Sequence, residues 1–312
     1  MRPSAHGPTS SPPHPSRASK ITASNTMPIG SQLLDTHVRT VSSSWTARDC
    51  LIYALGVGAG MADPAQELEF TTENTEGKPL RVLPTFVLKA ACDSGIDAAL
   101  EHLHDVDHAS MVHGEQSLTQ HRELPASGAV ETECRFVEVW DKGSGAAVKT
   151  RAWVRDARTG ALYATCDQTL FFRGHGGWGG PRGPGRPQTA TMTGEADVRF
   201  TIATRPDQAL LYRLSGGLSP VHSDPAYARR AGFAGPILHG VCVLGSVGRE
   251  FLRRYADGDP ARFKFISARF AAPAFPGDDL DVTAWKDGRA LAYEVRNQHG
   301  QPLLTEGRFE AD

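Results

Sequence analysis

The chain has 312 residues and little that would place it in a membrane, on nucleic acid or around a metal. No apolar run approaches the roughly 20 residues of a membrane span, and no N-terminal apolar core suggests a signal peptide. Its 33 basic and 35 acidic residues cancel to a net charge of −2, so no positive field favours nucleic acid or anionic lipid. Cysteine is sparse: Cys50, Cys92, Cys134, Cys166 and Cys242 are scattered, odd in number and without ligand spacing. They read as reduced, buried small residues of a cytoplasmic protein, not as a metal site. Acidic residues are missing from positions 1–26, which hold Ser, Pro and Thr with little to bury. Residues 1–27 are therefore expected to be a disordered tail, with Met27 a candidate start. The last residues, Phe309-Glu310-Ala311-Asp312, differ from a Ser-Lys-Leu type address, so no peroxisomal signal is expected.

What is present divides in two. Gly or Pro fills ten of the sixteen positions from Arg173 to Gln188, a stretch that sustains neither helix nor strand. It predicts a linker over 173–189 between domains at 28–172 and 190–312. Each domain carries the same series of alternating strands and Gly-bearing turns. In the first, Val130–Phe136 is followed by Ala147–Val154 and Leu162–Phe172. In the second, Leu280–Trp285 is followed by Ala290–Asn297 and Pro302–Glu310. Such segments are antiparallel hairpins, and their shared order suggests duplication of one unit. Ile237, Val241, Leu244, Val247, Phe251 and Tyr255 recur at helical spacing and predict one long helix with a buried stripe. Gly240, Gly245 and Gly248 lie within it, each costing roughly 1 kcal/mol of propensity against Ala, which implies close approach by a sheet or a ligand. Thr46–Gly56 is expected as the first-half helix, with a ligand-facing segment near Phe86–Leu103.

Chemistry concentrates in Leu214-Ser215-Gly216-Gly217-Leu218-Ser219-Pro220-Val221-His222-Ser223-Asp224-Pro225 and the later Gly232-Phe233-Ala234-Gly235-Pro236-Ile237-Leu238-His239-Gly240. His222 is the one acid–base group of the first stretch that titrates near neutrality. Taken alone it reads first as a turn histidine satisfied by backbone. Asp224-Pro225 through Gly232 reads as an N-cap, Pro at N1, a short helix and a C′ glycine.

Together these stretches resemble the active-site segment of the MaoC-like, R-specific (type 2) enoyl-CoA hydratases. Their loop runs Ser-Gly-Asp-x-Asn-Pro-x-His, followed by Gly-Phe-x-x-Pro-Ile-x-His-Gly. Gly217 stands where that family has its catalytic Asp, and Ser219 replaces the Asn. Tyr53–Ala59, Leu83–Phe86, Val112–Gln116 and Trp140–Gly145 are similar to the acyl-tail domain of the eukaryotic-type, two-hot-dog members. The resemblance implies an α+β tandem (double) hot-dog fold, with antiparallel sheets each wrapped around a central helix. It also implies a hydratase or dehydratase of fatty-acid metabolism acting on 2-enoyl-CoA or (3R)-3-hydroxyacyl-CoA.

The thioester would be substrate and partner. No cofactor, metal, nucleic acid or membrane insertion is implied, and homodimers are expected. His222 would be the catalytic acid–base and Gly240 part of an oxyanion hole. His113, Gly114, Lys142, Gly217, Ser219 and Phe270 would line the substrate site, with Glu73 and Asp224 as supporting acids. Within the motif Asp224 reads as the cap, and Lys142 reads almost equally as a solvated turn residue. Two other readings fit the missing Asp: a non-catalytic acyl-CoA-binding partner subunit, and a different lyase reaction on an acyl thioester.

Overall fold

Alternating burial makes the strands. In Asp279–Asp287, for example, Leu280, Val282 and Ala284 are buried between more open neighbours. The computed structural model describes residues 29–103, 106, 110–185 and 194–312, so the tail expected at 1–27 and the end of the expected linker lie outside the described residues. The first half contains β1 (Val41–Trp45), β2 (Met111–Gln120), β3 (Gly128–Asp141), β4 (Gly145–Asp156) and β5 (Leu162–Arg173). The second contains β6 (Val198–Ala203), β7 (Phe263–Phe270), β8 (Asp279–Asp287), β9 (Ala290–Asn297) and β10 (Pro302–Ala311). All pair antiparallel in one sheet ordered β1-β3-β4-β5-β2-β7-β10-β9-β8-β6. Read inward from either edge, the two halves have the same strand order. They meet where β2 pairs with β7, from Glu115 opposite Arg269 to Thr119 opposite Phe265, so the two expected sheets are continuous.

The helices differ from expectation in two respects. Helix α1 (Ala47–Gly56) begins at Thr46 with a capping box to Asp49. It is not the helix the first sheet wraps. That position belongs to a composite segment: a 3-10 turn at Pro84–Phe86, a π turn at Leu88–Cys92, α3 (Asp93–Leu100) and a final turn at Glu101–Leu103. The segment packs on β1, β3 and β4. Between α1 and α3 lies the short α2 (Leu68–Thr71). After β6, α1 meets its counterpart α4 (Gln208–Tyr212), and Gln208 Nε2 donates to the Gly56 carbonyl. α5 (Pro225–Arg230) precedes the long α6 (Gly240–Tyr255).

α6 starts at Gly240, so Ile237 precedes it, and its burial is wider than a stripe. Cys242 through Leu252 are all buried because β7 and β10 cover one side and first-half elements the other. The close approach that its glycines permit is by protein: a Cβ at Gly245 would lie 2.6 Å from Tyr53 Oη and 2.8 Å from Val57 Cγ1.

Two further expectations need correction. Cys92 and Cys166 form a disulfide between the composite segment and β5, so the cysteines are not all reduced; Cys50, Cys134 and Cys242 are free and buried. The Gly/Pro-rich stretch through Gly185 is also no free linker. Asp141, at the end of β3, accepts from the N–H groups of Gly143, Gly177 and Gly179, each at 2.8 Å, and these bonds lower its pKa to about 2. Its own N–H donates to the Pro181 carbonyl, and Trp178 packs against the core. Glycine-rich main chain, short of side chains, finds its partners in a buried carboxylate.

Candidate functional site

His222 lies in a 3-10 turn, Pro220–His222, that Pro220 begins. This turn is pinned to the approach to α6: the Ile237 N–H donates to the Val221 carbonyl at 3.2 Å. His222 Nδ1 sits 2.9 Å from the Ile237 carbonyl. A carbonyl only accepts, so Nδ1 carries the proton and Nε2 keeps its lone pair. Burial holds the pKa of His222 below its usual 6.5, and the Lys89 ammonium lowers it further. At neutral pH this side chain is a base with one free nitrogen.

The His239 ring stacks on that of His222, with centroids 3.5 Å apart and planes 21° from parallel. His239 is the residue before α6, and its Nε2 donates to the Gly217 carbonyl at 2.9 Å. Burial and the neighbouring His222 lower its pKa to about 3. Two stacked imidazoles cannot both be charged cheaply, which favours the neutral state of each.

Gly240 opens α6, where the first N–H groups have no acceptor inside the helix and the dipole is positive. A Cβ there would lie 2.8 Å from Cδ1 and Cε1 of Phe270, so only glycine admits that ring. Phe270 in turn meets His113 edge-on at 4.5 Å. His113 and Glu115 flank a bulge in β2, which makes Gly114 the bulged residue. His113 Nε2 donates to the Glu115 carbonyl at 3.2 Å, and burial lowers its pKa to about 4. Four of the expected residues, His113, Gly114, Phe270 and Gly240, thus meet where the two halves join.

Others are employed differently. Lys142 is tied to main chain: Nζ donates to the Arg182 carbonyl at 2.7 Å and the Pro184 carbonyl at 3.2 Å, over the Trp140 ring. Asp224 is exposed and caps α5, accepting from the N–H groups of Ala226 at 2.7 Å and Tyr227 at 3.1 Å, which lowers its pKa. It serves as the cap of α5. Glu73 is exposed in the loop after α2, and Ser219 is exposed with its carbonyl accepting from the His222 N–H.

The residues that sequence reasoning missed surround Gly217, whose φ of +75° suits glycine. A Cβ there would meet His239 Cδ2 at 3.1 Å and Lys89 Nζ at 3.1 Å. Lys89 comes from the π turn of the first half, its side chain only 3% exposed, and pairs with Asp93 one turn on. Burial raises the Asp93 pKa against the pull of Lys89. A lysine inside the apolar run Val87-Leu88-Lys89-Ala90-Ala91, with an aspartate four residues later, was the available signal.

The fold and this junction define the double hot-dog class of thioester-handling proteins. Residues 43–174 match the MFE-2 hydratase 2 N-terminal domain, and residues 186–306 match the MaoC like domain. The chain is 41% identical over 277 residues to 3-hydroxyacyl-thioester dehydratase Y of Mycobacterium tuberculosis, covering 85% of this chain and 92% of that protein. It is 36% identical over 284 residues to enoyl-CoA hydratase ChsH3 of the same organism, covering 86% and 93%. A MaoC-like dehydratase structure from Phytophthora capsici superposes with a TM-score of 0.80 at 28% identity, over 90% of this chain and 96% of that one. The chain belongs to the MaoC-like, type 2 enoyl-CoA hydratase family.

Proposed function

We propose that this protein is a hydro-lyase interconverting 2-enoyl-CoA and (3R)-3-hydroxyacyl-CoA, with His222 as general base and the amides at Gly240 as the oxyanion site. The observation that carries the reading is the tautomer of His222. With Nδ1–H held by the Ile237 carbonyl, Nε2 is free to take a proton from water as its oxygen attacks the β-carbon. Negative charge then collects on the thioester oxygen, and the open amides at the start of α6 are suited to receive it. Names of the relatives support the same substrate class: a hydroxyacyl-thioester dehydratase and an enoyl-CoA hydratase. Among the described residues no helix is long and apolar enough to cross a membrane. The reading extends to a cytoplasmic homodimer that needs no cofactor beyond the thioester, checked by sedimentation, cell fractionation and assay of extensively dialysed protein.

The decisive assay follows loss of the conjugated thioester absorbance with trans-2-enoyl-CoA of short, medium and long chain. Wild-type turnover is expected, and His222→Ala should lower it by about 10²–10⁴-fold, the usual worth of a positioned base. Calorimetric acyl-CoA binding without any turnover would instead favour the non-catalytic partner subunit.

A further inference from the structure

The loop of this family member has no carboxylate at Gly217, yet the place beside that residue is filled from the other half of the molecule. We propose that Lys89, held by Asp93, is the second proton-handling group of this site and works opposite His222. The inference rests on the hydro-lyase reading above.

Position carries the argument. Lys89 Nζ lies 3.1 Å from where a Cβ of residue 217 would be, and 3.7 Å from the corresponding point at Gly216. Both glycines have positive φ, at +114° and +75°, and neither offers a side chain to displace the ammonium. The charge of Lys89 also reaches His113, His222 and His239, lowering the pKa of each, so it stands among all three histidines of the junction.

Burial makes such a lysine expensive unless it is used. At 3% side-chain exposure, its only acceptor among the described residues is Asp93, which leaves two of three N–H groups for another oxygen. The Tyr212 hydroxyl, the Ser215 hydroxyl and His239 Nδ1 are likewise buried without a partner among the described residues. Tyr212 packs on His239 at 4.9 Å, and Ser215 is two residues from Gly217. The setting is one that receives polar atoms of a ligand.

The reaction then balances within the site. A water oxygen bonds to the β-carbon while one water proton passes to His222 Nε2. The double-bond electrons shift to the α-carbon, which takes a proton from the Lys89 ammonium. The resulting imidazolium returns its proton through water to the Lys89 amine, restoring both groups. Asp93 receives no proton; it holds Lys89 in place. Dehydration runs the same steps backwards.

The test is hydration of trans-2-butenoyl-CoA and trans-2-decenoyl-CoA by the full chain. Lys89→Met should lower kcat by about 10²-fold or more, with KM changed by less than about threefold, as for a lost acid–base group. Gly217→Asp in the Lys89→Met background should regain at least about tenfold, because the carboxylate then faces His222 without a competing cation. Gly217→Asp alone should gain nothing, since its carboxylate would pair with Lys89. If Lys89→Met fails to fold, Lys89→Gln, one atom shorter, still offers Asp93 an N–H donor while removing the transferable proton, and should show the same loss. Rescue of Lys89→Ala by added methylamine would support proton handling over a structural role. A folded Lys89→Met with wild-type kcat, or equal gains from Gly217→Asp in both backgrounds, overturns the inference alone. A wild type inactive on every enoyl-CoA overturns the hydro-lyase reading, and this inference with it.

Discussion

A methyl group at position 240 would lie 2.8 Å from two carbons of the Phe270 ring, well inside contact distance. The ring cannot simply swing away, because its other edge rests on His113 at 4.5 Å. Gly240→Ala should therefore push either the first turn of α6 or the β7 edge outward. Overpacking of this kind costs roughly 1–3 kcal/mol, and a shifted amide donor costs about 10²-fold in turnover. The expected outcome is a lower melting temperature together with a fall in kcat larger than the change in KM. Adding Phe270→Leu makes room, so the double variant should recover stability. Recovery of stability without recovery of kcat would show that Phe270 also orients the substrate.

At the scale of elements, α6 is fixed by a polar cluster as well as by its apolar face. Arg249 Nη1 lies 2.6 Å from Glu67 Oε2, just ahead of α2, and Nη2 lies 3.1 Å from Glu250 Oε1. All three side chains are at least 88% buried. Breaking a buried pair from one side leaves a charge without a partner, at a cost of about 3–5 kcal/mol. Arg249→Met should thus lower the urea midpoint strongly, and Glu67→Gln in the same chain should restore much of it. Additive losses would mean that the pair is not coupled.

The elements themselves were largely legible before the structure: β8–β10, β4 and β5 follow from alternation and turn chemistry, and α1 lies where a first-half helix was expected. The composite central segment of the first half was not assigned as the wrapped helix. Its π turn and 3-10 ends interrupt the helical period, whereas the regular α1 advertises itself. For the same reason Lys89 escaped notice, since only the π turn sets it beside Gly217. His222 and Gly240 were named from the motif that resembles the family, whereas His113 and Phe270 were named separately and their ring contact is set only by the pairing of β2 with β7.

At the scale of the molecule, the described residues form one ten-stranded sheet with the proposed site at the β2–β7 junction, so site and fold share the same buried groups. His113 and His239 have pKa values near 4 and 3, against 6.5 when unfolded, and His222 is shifted in the same direction. In each case burial is the main cause, with Lys89 adding to it. The sign follows from proton counting. Below pH 6.5 the unfolded chain binds protons at these positions that the folded chain does not, so stability falls as pH drops from 6.5 toward 4. The loss should be on the order of 3 kcal/mol for each of His113 and His239 by pH 4, and it precedes the titration of well-bonded carboxylates such as Asp141 near pH 2. His239→Gln keeps a donor for the Gly217 carbonyl but has nothing to protonate. Urea midpoints measured between pH 7 and pH 4 should therefore fall less steeply for this variant than for wild type. Parallel curves would mean that the junction histidines do not control acid stability. Turnover should persist below pH 6.5 and decline only as the lowered pKa of His222 is reached, because its neutral form is the base.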